Sequence, residues 1–213
     1  MLKTRIKASR ITNLTDARYF AAWEVKWLGF CLDPSSADYI PPVNAKAIKE
    51  WVEGPVIVGE FGRQSLSDIL STIEALGLQG VQIADTAQLQ ALSDQTDVPI
   101  LLNLTLKDLD QLDAVAALCQ EWAPLVELFI LQFSSPEAFD ELQDKLVAKG
   151  QLMGLCEKYR ILLDLSIPPQ QVEVFLEEVQ AYGLNVAGGV EEKVGFKSFD
   201  ELDDLFEAIE INI

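Results

Sequence analysis

The side chains of this chain that could do chemistry are carboxylates, amides and hydroxyls, because the sequence contains no histidine. Imidazole catalysis, Ser-His-Asp triads and histidine zinc motifs are therefore excluded, and any proton transfer must use a carboxylate, lysine, tyrosine, cysteine or water. Polar residues and glycines follow a series of short apolar runs along the chain. These candidate site residues are Ser9, Arg10, Asp33, Glu60, Asp85, Asn103, Gln132, Asp164, Ser166, Gly188 and Gly189.

Four of these candidates are carboxylates, namely Asp33, Glu60, Asp85 and Asp164. Gathered at one end of a fold, they could bind Mg²⁺ or Ca²⁺ through oxygen ligands, hold an amine, or include one acid with a raised pKa. The alternative is that several face solvent or pair with Arg10, Arg63 and Lys107. We expect no resident metal and no cofactor.

Arg10 and the Gly188-Gly189 pair each have two interpretations. The Arg10 guanidinium could bind an anion at the site, or it could pair with Asp33 or Glu60. Gly188-Gly189 could present backbone N–H groups to a phosphate, or it could simply permit a tight turn after a strand.

Apolar, β-branched runs predict eight buried parallel strands, with amphipathic helices between them. Helix start signals stand at Ser65, at Ser135-Pro136, at Pro168-Pro169 and at Ser198, where Glu201 would complete a capping box. The predicted strands cover residues 5–11, 27–32, 56–61, 80–84, 99–104, 125–133, 160–165 and 184–187.

Eight strand-helix repeats, with no linker and no shift in composition, predict a single (βα)8 barrel over residues 1–213. An open doubly wound α/β sheet is the alternative, but no GxGxxG motif follows the first strand. Ligands and reacting groups of a barrel lie where strands end and the following loops begin. The candidate residues occupy those positions.

The composition of the chain limits the classes of molecule that could be its partner. A net charge of −18 argues against nucleic acids and anionic membranes, which require clustered lysine and arginine. Cys31, Cys119 and Cys156 are expected to be reduced apolar side chains. No apolar run reaches the ~20 residues that span a bilayer. We therefore expect a cytoplasmic monomer or homodimer whose partner is a small-molecule ligand.

Six stretches, two of them overlapping, follow in order along nearly the whole chain and resemble the phosphoribosylanthranilate isomerases, the (βα)8 enzymes of tryptophan biosynthesis. Residues 6–13, Ile-Lys-Ala-Ser-Arg-Ile-Thr-Asn, are similar to the family's first strand, Lys-Ile-Cys-Gly-Ile-Thr-Asn. The first βα turn is also similar, in Ile-Thr-Asn-Leu-Thr-Asp-Ala at residues 11–17. The other similar stretches are residues 28–30, 58–65, 81–82 and 189–197.

The resemblance implies an Amadori rearrangement of an aminoaldose phosphate, with a cysteine base on the first strand and an aspartate acid ending the sixth. Ser9 and Gln132 occupy these positions here. A hydroxyl without a proton acceptor is too weak a base, and an amide cannot deliver a proton. Loss of one such group typically slows a reaction ~100- to 10,000-fold. The family's carboxylate-binding arginine corresponds to Asp38, and its seventh-strand Gly-Gly corresponds to Leu165-Ser166.

Three functions stay open. The favoured one is a diverged member of the family that binds or converts another small ligand, phosphorylated or not. The second is a working isomerase that uses Asp164 as acid and Glu60 as base. The third is a structural or partner-binding barrel without a small-molecule role, for which a pocket closed by Leu165 and Ile167 would be evidence.

Overall fold

Eight parallel strands close into a barrel in the computed structural model of the chain, with β8 pairing with β1. The structure describes the backbone of residues 1–188, 191–193 and 196–211, and the side chains of residues 1–188 and 198–211. The predicted (βα)8 architecture is confirmed. The barrel strands are β1 (Arg5–Ser9), β2 (Trp27–Cys31), β3 (Val56–Glu60), β4 (Gly80–Ile83), β5 (Ile100–Leu106), β6 (Leu128–Phe133), β7 (Ile161–Asp164) and β8 (Gly183–Ala187). A short antiparallel pair, β9 (Glu191–Lys193) and β10 (Phe196–Lys197), follows β8.

Helices cover the outside of the barrel and bury their apolar faces against the strands. As predicted, Ser65 caps α3 by accepting a hydrogen bond from Asp68 N, and α8 begins at Pro169. No helix in the described part of the chain is long and apolar enough to cross a membrane. The helices are α1 (Leu14–Ala22), α2 (Pro42–Lys49), α3 (Leu66–Leu76), α4 (Leu89–Ser93), α5 (Leu112–Trp122), α6 (Ala138–Asp144), α7 (Leu146–Lys158), α8 (Pro169–Val179) and α9 (Asp200–Ala208).

Two predicted helix starts are wrong. Ser135 Oγ accepts a hydrogen bond from Glu137 N and closes a turn, so α6 begins at Ala138 and not at the preceding proline. Ser198 Oγ accepts from Asp200 N instead of completing a capping box. In both cases the serine bonds to a backbone N–H two residues away, which is the competing turn geometry that serine side chains favour.

The barrel interior has an apolar lower layer and a polar upper layer. Because side chains alternate along a strand, the next inward position lies two residues nearer the carboxyl end. That step leads from Val58 to Glu60 and from Leu162 to Asp164. The lower layer is a buried cluster distinct from the main core, formed by Trp27, Val58, Leu101, Leu128, Ile130 and Leu162.

The three cysteines are free and buried. Burial raises the pKa of Cys119 and of Cys156 to about 12. Both thiols therefore stay neutral and pack as small apolar groups.

Candidate functional site

An open cavity of about 800 Å³, including the space open to solvent, lies at the carboxyl ends of the strands. Its volume suits a small molecule. Leu165 and Ile167 are not part of its lining as the described residues form it, so this evidence for a purely structural barrel is not found. Predicted residues in the lining are Ser9, Arg10, Asp33, Glu60, Asn103, Gln132 and Asp164. Cys31, Ser36, Phe61, Gly62, Gln82 and Asn185 complete it.

Three other predicted site residues, Asp85, Ser166 and Gly188, lie outside the cavity lining. Asp85 Oδ1 accepts a hydrogen bond from Ala87 N at 2.9 Å and caps the 3-10 turn after β4. Ser166 is exposed in the loop before α8. Gly188 directly follows β8 without lining the cavity, and Gly189 lies outside the described residues. The phosphate cradle at these glycines stays a prediction.

A buried ion pair between β1 and β3 supports the cavity from below. Lys7 is 0% exposed, and its ammonium donates to Glu60 Oε1 at 2.5 Å. The pair crosses β2 at Gly29, where a Cβ atom would lie 2.0 Å from Glu60 Oε1. Glycine therefore leaves the space in which the two side chains meet. Glu60 Oε2 accepts from Arg10 N at 3.1 Å, so both carboxylate oxygens are hydrogen-bonded.

The Ser9 hydroxyl lies between Lys7 and Asn185, which are register partners across β1 and β8. Lys7 Nζ donates to Ser9 Oγ at 2.6 Å, and Ser9 Oγ donates to Asn185 Oδ1 at 2.6 Å. Asn185 Nδ2 donates in turn to Asp164 Oδ2 at 2.9 Å. An ammonium only donates and an amide oxygen is a very weak base. Neither neighbour can therefore remove the Ser9 proton.

Sequence analysis missed Lys7 and Asn185, although both interrupt apolar strands. Lys7 stands between Ile6 and Ala8, and Asn185 follows Leu184. A polar side chain at a buried strand position requires a polar partner. That rule, applied to the strands, would have marked both residues.

Arg10 directly follows β1 and has a left-handed backbone conformation, with φ of 57°. Residues with a Cβ rarely adopt this conformation, which costs free energy. The Arg10 guanidinium lies 3.8 Å from Asp38 Oδ2, and both side chains are half-exposed. Of the two interpretations of Arg10, the one that paired its guanidinium with Asp33 or Glu60 is wrong. Asp33 Oδ1 is instead bonded to Ser35, and Glu60 to Lys7 and to the Arg10 backbone N–H.

Side-chain amides from neighbouring strands face the other side of the cavity. Asn103 Nδ2 and Thr105 Oγ1 both donate to Gln132 Oε1 at 3.2 Å. Gln82 Oε1, on β4, is buried without a hydrogen-bond partner among the described residues. A buried acceptor without a donor is unfavourable.

Asp164 is the cavity carboxyl whose pKa is raised by its surroundings. Burial raises its pKa above the ordinary aspartate value, and Glu60 adds to the rise. The hydrogen bond from Asn185 and the positive charges of Arg10 and Lys7 oppose this shift without cancelling it. Asp164 is therefore the acid candidate of the site.

Replacing Asp164 by asparagine should change the pH dependence of stability. The folded pKa lies above the unfolded pKa, so the contribution of Asp164 to stability is complete below the unfolded value and is lost as pH rises through the folded one. Asp164→Asn should therefore gain stability relative to the unmodified chain as pH rises through that interval. Urea unfolding at several pH values measures this difference, with Asp85→Asn as the control outside the cavity. A pH-independent difference would contradict the assignment.

The carboxylates do not form a metal site. Among the residues that the structure describes, no three His, Cys, Asp or Glu side chains are grouped closely enough to hold a metal ion. Asp33 Oδ1 accepts from Ser35 N and Ser35 Oγ, and Glu60 pairs with Lys7. The candidate acids are thus dispersed among separate local contacts.

A closed parallel barrel of eight strands, with a polar cavity at the carboxyl ends of the strands, defines the class of TIM-barrel proteins. The match to a family model is more specific. The model for N-(5'-phosphoribosyl)anthranilate (PRA) isomerase matches residues 6–208, and the chain belongs to this family.

Relatives and solved structures agree with this assignment. The chain is 25% identical over 217 residues to the N-(5'-phosphoribosyl)anthranilate isomerase of Chlorobium luteolum, and the alignment covers 97% of both chains. It is 28% identical over 203 residues to that of Chlorobium chlorochromatii, covering 92% of both. The Thermus thermophilus isomerase structure superposes with a TM-score of 0.74 and 28% identity, covering 96% of this chain and 98% of that one. The resemblance found in the motifs is confirmed.

Proposed function

We propose that this chain is a diverged member of its family that binds or converts a different small ligand at the barrel mouth, with Asp164 as the proton-transferring carboxyl. The observation that carries the proposal is the environment of Ser9. Its hydroxyl accepts from an ammonium and donates to an amide oxygen, so it has no base to activate it.

The position that the resemblance assigns to the aspartate acid is altered as well, because it holds Gln132. Gln132 accepts two hydrogen bonds through Oε1, from Asn103 and Thr105, and an amide cannot deliver a proton. The position that the resemblance assigns to a carboxylate-binding arginine holds Asp38, which pairs with Arg10. Catalytic and binding positions have therefore changed together, which supports a different ligand more than a weakened form of the same reaction.

The lining of the cavity supports a polar ligand. Amides and hydroxyls outnumber apolar side chains in it. A family structure with a TM-score of 0.70 and 18% identity was solved with reduced 1-(o-carboxyphenylamino)-1-deoxyribulose 5-phosphate. By analogy, we infer a ligand of comparable size that offers hydroxyl or amine groups.

A second candidate function is the family's isomerase reaction with replacement groups. The observation in its favour is register, because Asp164 on β7 pairs with Gln132 on β6 and brings a carboxyl one strand away from the expected acid position. Glu60 would then be the base. The contacts of Glu60 to Lys7 and to Arg10 N must weaken before it can take a proton.

An isomerase assay on the purified protein distinguishes the two candidates, with consumption of phosphoribosylanthranilate followed by its fluorescence. We expect no turnover by the unmodified chain or by the Ser9→Cys/Gln132→Asp double variant, while the Thermus thermophilus enzyme serves as positive control. Turnover by the unmodified chain that is lost in Asp164→Asn would overturn the different-ligand proposal and establish the second candidate. Turnover by the double variant alone would also overturn it, since the cavity would then still accept the family substrate.

A further inference from the structure

A continuous series of hydrogen bonds connects two carboxyls on opposite sides of the β1–β8 seam. It runs from Glu60 Oε1 through Lys7 Nζ, Ser9 Oγ and the Asn185 amide to Asp164 Oδ2, with distances of 2.5, 2.6, 2.6 and 2.9 Å. We call these five residues the proton-orienting chain. Its members come from β3, β1, β8 and β7.

The direction of the proton-orienting chain follows from the chemistry of Lys7. An ammonium has three donors and no acceptor, so Ser9 Oγ must accept from Lys7 and direct its own hydrogen elsewhere. That hydrogen goes to Asn185 Oδ1. The same contact turns the NH2 group of Asn185 toward Asp164. The orientation of an amide is often ambiguous, but here the donor at the start of the chain determines it.

We propose that Lys7 is a positioning residue that sets the direction of the proton-orienting chain and so orients the Asp164 carboxyl. With Asn185 donating to Oδ2, Oδ1 of Asp164 is the oxygen left available to accept or release a proton. Full burial of Lys7 removes it from contact with ligand and water, and Glu60 balances its charge. The inference rests on the proposed function only in assigning proton transfer to Asp164.

A substitution at Ser9 separates two effects on Asp164, that of the nearby charges and that of the direction of the hydrogen bonds. Three charged groups act on Asp164. Lys7 lies in β1, Arg10 directly follows β1, and Glu60 lies in β3. The adjacent strands contribute neutral amides, which belong to Gln132 and Asn185. Ser9→Ala keeps all three charges and interrupts the chain between Lys7 and Asn185.

A carboxyl ¹³C NMR titration of the ligand-free protein tests the proposal, with the Asp164 signal identified through Asp164→Asn. In Ser9→Ala, the released Asn185 amide can turn its oxygen toward the protonated Asp164 carboxyl. We therefore expect the ionisation constant of Asp164 to fall about three- to tenfold, the equivalent of one ordinary hydrogen bond. The side-chain NH2 signals of Asn185 should move as well.

Two further variants provide the controls. Ser36→Ala removes a hydroxyl from the same cavity but outside the proton-orienting chain, and it should leave the Asp164 titration unchanged. Ser9→Cys keeps a weak donor and should restore part of the original ionisation constant. If Ser9→Ala titrates like the unmodified chain, or if Ser36→Ala changes the titration equally, the proposal is wrong. Since no ligand is used, a failed isomerase or ligand assay leaves this result unaffected.

Discussion

Replacing Lys7 by methionine is expected to destabilise the barrel by about 3 to 5 kcal/mol, the usual consequence of removing one partner from a buried ion pair. Glu60 is 6% exposed, so its carboxylate would be left in the interior with only the Arg10 N–H as donor. Denaturant unfolding measures the loss. Because an unpaired buried carboxylate favours its protonated form, we expect the loss to be smaller at acidic pH.

The double variant Lys7→Met/Glu60→Leu is the matched control. Replacing a buried ion pair by apolar side chains of similar volume is often neutral or stabilising. We expect the double variant to recover most of the lost stability. Recovery should be incomplete, since Arg10 N loses its acceptor. A single variant as stable as the unmodified chain would show that Lys7 and Glu60 do not depend on each other.

Replacing Gly29 by alanine should cost about 1 to 3 kcal/mol, the range for overpacking a filled interior. The new methyl group would lie 2.0 Å from Glu60 Oε1 and 2.8 Å from Lys7 Nζ. Relief of the clash requires the ion pair to separate, so the cost should be much reduced in the Lys7→Met/Glu60→Leu background. A double-mutant cycle from unfolding data measures this coupling.

Gly150→Ala separates this steric effect from the general consequence of removing a glycine. Gly150 lies on the exposed side of α7, and a Cβ atom there meets nothing within 4 Å. Alanine in a helix is favoured over glycine, so this variant should be more stable by about 0.5 to 1 kcal/mol. A similar gain in Gly29→Ala would contradict the close packing around the ion pair.

The barrel could be predicted from the sequence because its strands are buried on both faces. Continuous apolar runs mark such strands, and each predicted strand overlaps a strand of the structure. Helix starts were less predictable. Ser65 bonds to a residue three positions away, whereas Ser198 bonds to one two positions away. The choice between these local geometries depends on the path of the following chain, which a short motif does not contain.

Strand ends identified much of the candidate site, including Ser9, Glu60 and Asp164, because position along a parallel strand determines which end a residue occupies. Which side chains contact each other within the site could not be predicted from the sequence. Lys7 and Glu60 are far apart in sequence and meet only across the gap left by Gly29. The partner of Arg10 likewise depends on a left-handed backbone that no motif around it indicates.

The pairing of β1 with both the second and the last strand of the barrel has a consequence for synthesis. During translation Glu60 is made long before β8, but Arg5 can meet Gly183 only when β8 has left the ribosome. Until then one edge of β1 is unpaired and open to association with other chains. Asn185 also lies in β8, so its hydrogen bond to Asp164 can form only when this last strand is in place. A nascent chain therefore completes its cavity in the same step that removes its exposed edge, and no partly made barrel carries the finished site.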